Sequence, residues 1–173
     1  MEKDSVTFSV QMTARELYKF NLYHTYHGFS GLFGLTLSLL ALVNLFMNFH
    51  DLSDTGKTIM IIIGIWFTIW EPLMMKSRAK AQLNRSKAYK KPLNYEISET
   101  GITVSQDEQN ETVGWDKLVK VVETKSQFLL YSSRIHAFIF PKSMMEGQES
   151  EMRGLILAHT ENTGVKRKGK IKK

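Results

Sequence analysis

The side chains that could do chemistry in this chain are mainly cations, and they are concentrated in two segments. The net charge is +6, yet residues 94–160 carry ten acidic and six basic side chains, so the excess of cations lies outside that region. Between residues 76 and 91 there is no acidic residue, and the cations are Lys76, Arg78, Lys80, Arg85, Lys87, Lys90 and Lys91. Cations beside an apolar segment are typical of contact with anionic lipid headgroups. We predict that contact for these seven residues.

A second basic segment lies at the end of the sequence. Six of the eight residues from Lys166 to Lys173 are lysine or arginine. A run of like charges predicts a disordered, solvated tail, here residues 161–173. Nucleic-acid binding is a rival interpretation of both basic segments. Neither segment is interleaved with exposed aromatic residues or joined to a groove-reading helix motif, so we predict no nucleic-acid partner.

Patterns for catalysis or metal binding are few. His24 and His27 are spaced i, i+3 and could share a metal, but no third ligand is nearby, which favours interfacial side chains. Glu71 could relay protons, although a single acid beside Pro72 is more typical of a residue at headgroup level. The chain has no cysteine, and it has no nucleotide-binding, metalloprotease or nucleophile-elbow motif. We predict no enzymatic activity, no metal site and no cofactor.

The elements that position these residues begin with two apolar runs, residues 28–49 and 58–75. The first has no charged residue between Lys19 and Asp51, and a helix of about 20 apolar residues matches the thickness of a bilayer. The second is uncharged for only 13 residues before Glu71, so a buried soluble helix is the alternative for it. Because a short polar loop joins the runs, we predict a transmembrane hairpin, which makes the chain a multi-pass protein of the cell membrane.

Residues within and beside the runs predict the orientation and packing of the hairpin. Basic residues follow the second run, whereas the loop carries Asp51, Asp54 and Lys57, so the positive-inside rule places both termini in the cytoplasm. Small and polar residues of the first run are candidates for helix–helix contact or self-association. They are Gly28, Gly31, Gly34, Asn44 and Asn48.

The rest of the sequence predicts a small α+β domain. Val6–Val10 alternates with a period of two, and Thr13 with Glu16 forms a capping box that begins a helix leading to the first run. Short strands bounded by turn residues follow residue 92 and predict an antiparallel sheet or barrel. These strands are residues 93–98, 102–106, 112–115, 118–123, 128–131 and 135–140. A second capping box, Ser143 to Glu146, predicts a closing helix that reaches about His159.

The first strand cannot be stable alone, and an unpaired sheet edge is a liability. We therefore predict that residues 6–10 pair with the strands after the second run, so that the hairpin is an insertion into one cytoplasmic domain. The resulting order is residues 1–27, a hairpin at 28–75, a basic linker helix at 76–92, a domain at 93–160 and the tail. Arg134 and Lys142, predicted at a sheet edge, are candidates for a partner surface.

Two segments of this part of the chain resemble a known family. They are L-N-Y-E-I-S-E-T-G-I-T-V, and G-W-D-K-L-V-K-V-V-E-T-K-S-Q-F-L-L-Y-S-S-R-I-H-A-F-I-F-P-K-S from Gly114 to Ser143. They are similar to the YcxB-like family of small bacterial membrane proteins, whose function is uncharacterised. The resemblance implies a soluble part similar to pleckstrin-homology-like domains, and it supplies no catalytic residues.

These features together predict a membrane-anchored interaction module at the cytoplasmic face. Its partners would be the bilayer and either a protein or an anionic lipid, and it could form a homo-oligomer. Tethering would act by raising the local concentration of the domain near its partner. The alternative is a subunit of an oligomeric transport assembly that uses Asn44, Asn48 and Glu71.

Overall fold

A computed structural model describes residues 5–161, 164–169 and 171. The chain divides into two compact units. Residues 1–12 and 86–173 form a unit of strands with one long helix, and residues 13–85 form a helical unit. The helical unit is therefore an insertion between the first strand and the remaining strands.

The first sheet of the strand unit joins the two ends of this insertion. Its order is β1-β2-β3-β4, and all its pairs are antiparallel. The strands are β1 Ser5–Val10, β2 Leu93–Ser98, β3 Gly101–Gln106 and β4 Gln109–Val113. Val6 lies opposite Ile97 and Val10 opposite Leu93. The predicted pairing of the N-terminal strand is thus confirmed, because pairing with β2 buries the alternate residues Val6, Phe8 and Val10.

The second sheet has the order β7-β6-β5-β8. Its strands are β5 Lys120–Glu123, β6 Gln127–Tyr131, β7 Ala137–Pro141 and β8 Lys166–Gly169. β5, β6 and β7 are antiparallel neighbours, whereas β8 runs parallel to β5. Helix α5, Glu149–Thr160, precedes β8 and buries Met152 and Ile156.

Aromatic contacts join the inner faces of the two sheets. The Phe8 ring of β1 lies 5.2 Å from the Phe140 ring of β7 in an edge-to-face arrangement, and Tyr95 of β2 lies 4.8 Å from Phe140. β6 is buried along its whole length. The core of this unit therefore lies between two sheets, and over the described residues these sheets do not close into a barrel.

Four predictions differ from the structure in this unit. The predicted linker helix over residues 76–92 does not continue past Arg85, and only a short 3-10 turn, Ala88–Lys90, follows it. The sheet is not wholly antiparallel, because β8 adds a parallel edge. The tail is not a disordered run over residues 166–169, since buried Val165 and Ile171 hold the basic strand β8 on β5. Residues 162, 163, 170, 172 and 173 of the predicted tail lie outside the described residues. The capping box at Ser143 does not begin an α-helix, because Ser143 lies within a short 3-10 turn, Lys142–Met144. Glu146 and Gly147 have φ values of +52° and +85°, so α5 begins only at Glu149.

Gly154 is an exposed residue inside α5, and we expect Gly154→Ala to stabilise this unit by about 0.5–1 kcal/mol. A methyl group at this position meets no atom within 4 Å, so the gain in helix propensity has no steric cost. Gly147→Ala is the matched control, because the space there is equally open but φ is +85°. In chemical unfolding, Gly154→Ala should raise the free energy of unfolding and Gly147→Ala should lower it. Equal effects of the two variants would contradict this interpretation.

The helical unit contains α1 Ala14–Tyr26, α2 Phe29–Met47, α3 Asp54–Ile65 and α4 Glu71–Arg85. A π-helical turn, Trp66–Trp70, joins α3 and α4 into one long helix. The Thr13 hydroxyl accepts a hydrogen bond from the Glu16 amide, so the predicted cap of α1 is confirmed. α1 packs against α4, and α2 packs against α3 and the π-helical turn.

Candidate functional site

Two helices of the helical unit are long and apolar enough to cross a membrane, as far as the described residues show: Phe29–Met47 and Asp54–Arg85. Only 22% and 11% of their most apolar windows are buried inside the protein, whereas a core helix of a soluble protein is mostly buried. The exposed side chains are large and apolar, and they include Leu32, Phe33, Leu40, Phe46, Ile62 and Ile69. The apolar surface therefore faces outward.

Small residues allow the two long helices to approach each other closely. The Ser38 hydroxyl of α2 lies 2.7 Å from the carbonyl oxygens of both Ile63 and Gly64 in α3. A side chain at Gly34 would overlap the Phe67 ring, and one at Gly64 would overlap Leu42. These contacts are of the kind that hold apolar helices together, since a buried hydroxyl donates across the interface where the backbones are close.

The π-helical turn has its own polar contact. The Tyr26 hydroxyl of α1 donates to the Phe67 carbonyl oxygen at 2.7 Å. π-helical turns interrupt the regular i to i−4 bonding of a helix. The tyrosine thus supplies a hydrogen bond at the point where the long helix departs from regular α geometry.

The residues predicted to mediate helix contact have different surroundings. Gly34 lies against Phe67 of the partner helix, whereas Gly31 lies against the Thr25 backbone of α1. Gly28 is the N-cap of α2. Asn44 and Asn48 are exposed near the loop end of α2, so within this chain they do not contribute to the contact between α2 and α3. Two of the glycines are thus used for packing within one chain.

The predicted headgroup cations are exposed in both units. Lys76, Arg78, Lys80 and Arg85 are exposed on α4, and Lys87, Lys90 and Lys91 are exposed in the strand unit. The Arg78 guanidinium lies 3.1 Å from the Glu71 carboxylate, and the Lys91 ammonium lies 2.8 Å from the Asp107 carboxylate. Exposed pairs of this kind are worth little in stability, so these cations remain available to a negatively charged surface.

The two histidines considered as metal ligands, His24 of α1 and His27 at its C-cap, are engaged with aromatic rings. His24 stacks on Phe20 at 5.7 Å between centroids, and His27 stacks on Tyr23 at 4.0 Å. Over the residues that the structure describes, no group of three or more His, Asp or Glu side chains is placed to hold a metal ion.

A buried ion-pair network lies at the end of β5. The Glu123 carboxylate is fully buried and accepts from Lys142 at 2.6 Å and from two nitrogens of Arg153 at 2.9 and 2.7 Å. Burial raises the pKa of Glu123, but the hydrogen bonds and charges of Arg153 and Lys142 outweigh this, so its pKa is lowered overall. Lys142 also lies 3.2 Å from Glu149. The network therefore ties β5 to the start of α5 and to the end of β7.

This network changes the interpretation of the predicted partner surface. Lys142 has a side chain only 10% exposed, so it is a structural cation and not an open contact residue. Arg134 is exposed in the turn between β6 and β7. Sequence reasoning missed the network because Glu123, Lys142 and Arg153 lie far apart along the chain. The one signal was a charged residue, Glu123, at the end of an apolar strand.

A family model for YcxB-like proteins matches residues 97–156 of this chain. No curated protein and no solved structure matches it. The matched segment runs from the end of β2 into α5, and it includes Glu123, Lys142 and Arg153. The resemblance seen in the sequence is confirmed over these residues, which are similar to YcxB-like proteins.

Proposed function

We propose that this protein is a membrane-anchored interaction module. The observation that carries the proposal is the outward-facing apolar surface of α2 and of the long helix from Asp54 to Arg85. Exposing so large an apolar surface to water is unfavourable, whereas a bilayer covers it. The two helices would cross the membrane as a hairpin joined by the loop at residues 48–53.

The orientation follows from the charges at the helix ends. α4 continues past the apolar part of the long helix and exposes four cations, Lys76, Arg78, Lys80 and Arg85. By the positive-inside rule this end is cytoplasmic. Because the strand unit contains both the residues before and those after the helical unit, both termini would lie in the cytoplasm.

The cations that follow the apolar part of the long helix would contact anionic headgroups. Each juxtamembrane Lys or Arg contributes about 1 kcal/mol of attraction to an anionic leaflet. The strand unit would be the part that binds a protein partner or a headgroup. The arrangement of two sheets with a helix, together with the YcxB-like match, supports a comparison with pleckstrin-homology-like domains, which the resemblance implies.

Alkaline carbonate extraction of membranes from cells that express the chain tests the anchor. The chain should stay in the pellet with an integral marker protein, while a peripheral control is released. Tags at either end should be protected from externally added protease in intact cells, and a tag in the loop at residue 52 should be cleaved. Release by carbonate would contradict the anchor, and cleavage of a terminal tag would contradict the orientation.

A transport subunit is the second candidate, and the exposure of Asn44 favours it. An amide in the apolar part of a membrane is costly unless it pairs, and Asn44 is exposed on α2. Pairing between copies of the chain would satisfy it and would form an oligomer. Ion flux through proteoliposomes that is lost in Asn44→Leu would support this function, whereas co-purification of a specific cytoplasmic protein would support the first.

A further inference from the structure

A cluster of three lysines lies where β5 and β8 run side by side. Lys120 of β5 and Lys166 of β8 are direct partners in the parallel register, and Lys168 lies opposite Val122. Because residues i and i+2 of a strand share one face, Lys120, Lys166 and Lys168 lie on the same face of the sheet. We call these three residues the β5–β8 lysine cluster. Arg167 falls on the opposite face and is not part of it.

The cluster is held in place by contacts on both sides of β8. The Lys166 amide donates to the Val119 carbonyl oxygen at 3.2 Å, and Val165 and Ile171 are buried. The Lys120 ammonium lies over the Tyr131 ring, 4.1 Å from its centroid. The three positive charges are therefore brought together by strand pairing and by apolar anchors.

Within the part of the chain that the structure describes, no carboxylate balances the charge of the cluster. Lys91, Lys117, Lys142 and Arg153 of the same unit each have a carboxylate partner. Among residues 5–161, 164–169 and 171, no carboxylate lies within ion-pair distance of Lys120, Lys166 or Lys168. Burial, then the charges of Lys168 and Lys166, lower the pKa of Lys120. Like charges placed opposite each other on neighbouring strands are unfavourable, so the arrangement favours a bound anion.

We propose that the β5–β8 lysine cluster binds a phosphate group. Neighbouring strands lie about 4.8 Å apart, and residues i and i+2 lie roughly 6.6–7 Å apart along a strand. Lysines on that small triangle are close enough for their ammonium groups to contact one compact anion. A phosphate group carries one negative charge as a diester and up to two as a monoester, and it offers ester as well as charged oxygens as acceptors, whereas a carboxylate carries one charge on two oxygens. The phosphate would come from a lipid headgroup or from a soluble phosphate compound.

Lysine labelling of the full chain in nanodiscs, read by mass spectrometry, tests this site and separates its two sources. In neutral phosphatidylcholine discs, inorganic pyrophosphate is compared with sodium chloride at equal ionic strength. In a second arm, phosphatidylglycerol replaces part of the phosphatidylcholine with no soluble phosphate added. Lys117 and Lys125 are exposed in the same unit, so their labelling rates report non-specific effects.

We expect the labelling of Lys120, Lys166 and Lys168 to slow several-fold in at least one arm, while Lys117 and Lys125 change little. Protection by pyrophosphate identifies a soluble phosphate as sufficient, and protection only by phosphatidylglycerol identifies a lipid headgroup. Equal effects on all five lysines, or no protection in either arm, would overturn the proposal.

Variants provide an independent test of the cluster. The triple change Lys120→Gln, Lys166→Gln and Lys168→Gln should weaken binding of the effective probe about tenfold or more, since charged hydrogen bonds are lost. Lys117→Gln and Lys125→Gln together remove two exposed charges of the same unit and should change binding less than about twofold. The double change Lys166→Gln and Lys168→Gln removes the same charge from the cluster, and equal weakening by the two doubles would overturn the site. Association of the chain with the discs is measured separately, so that loss of membrane anchoring is distinguished from loss of phosphate binding at the cluster.

Discussion

Glu123→Ala should lower the free energy of unfolding of the strand unit by about 3–5 kcal/mol, the usual cost of removing one partner from a buried ion pair. The substitution leaves Lys142 and Arg153 without the carboxylate that both contact. The Lys142 side chain is only 10% exposed, so water cannot fully replace the lost partner. Denaturant dependence of hydrogen exchange in β5 and β6 measures the change in the full chain.

The same carboxylate makes the stability of this unit depend on pH. The pKa of Glu123 is lowered in the folded state, below its usual 4.5. Its contribution is therefore fully present above pH 4.5 and is lost as the pH falls through the lower folded pKa. Hydrogen exchange corrected for intrinsic rates should show a loss of stability below pH 4.5 that is smaller in Glu123→Ala than in the parent chain.

Lys117→Ala is the control for the buried network, because it breaks an ion pair whose side chains are 71% and 73% exposed. It should change stability by less than about 1 kcal/mol. An equal loss in Glu123→Ala and Lys117→Ala would show that the buried network adds nothing beyond an exposed pair.

Gly169→Ala should detach β8 from β5. Gly169 has a φ of +81° and pairs with Glu123, and a methyl group there would overlap the Glu123 carbonyl oxygen. The left-handed conformation alone costs a non-glycine residue about 1–2 kcal/mol. We expect exchange of the amides at residues 166–169 to become about tenfold faster or more, while α5 keeps its protection. The lysine cluster should lose its response to phosphate as well.

Gly164→Ala is the matched control at the other end of β8. No atom lies within 4 Å of a methyl group at that position, and Gly164 has no left-handed φ. Exchange in β8 should be unchanged in this variant. If Gly169→Ala left the amides of β8 equally protected, the close contact between Gly169 and the Glu123 backbone would not be needed to hold β8 on β5.

Local patterns predicted the elements whose residues interact with their sequence neighbours or follow a regular period. β2 has the predicted bounds, and Thr13 caps α1 as predicted. The predicted start of α5 is wrong, because a capping box is a local signal that does not include the conformation of the residues after it. The left-handed residues Glu146 and Gly147 end the preceding turn before the helix can begin.

The basic tail shows why charge pattern alone misleads. Six cations in residues 166–173 predicted a disordered run, since a run of like charges is typical of a solvated segment. Val165 and Ile171 are single apolar residues on either side of β8, and both are buried. Whether such isolated residues become buried depends on the surface available to them, which is a property of the assembled sheets.

The sequence by itself determined the two apolar helices, the basic segment that follows them, the seven strands β1 to β7 and the resemblance to YcxB-like proteins over residues 97–156. These depend on composition and on hydrophobic periods of 2 and 3.6 residues, which involve only residues close together in the sequence. Only the tertiary structure decided that Lys142 forms an ion pair with Glu123, that β8 runs parallel to β5, and that the lysines of the β5–β8 lysine cluster share one face. Each of these requires residues far apart in sequence to become neighbours, and such pairings are selected by burial and strand register in the folded chain.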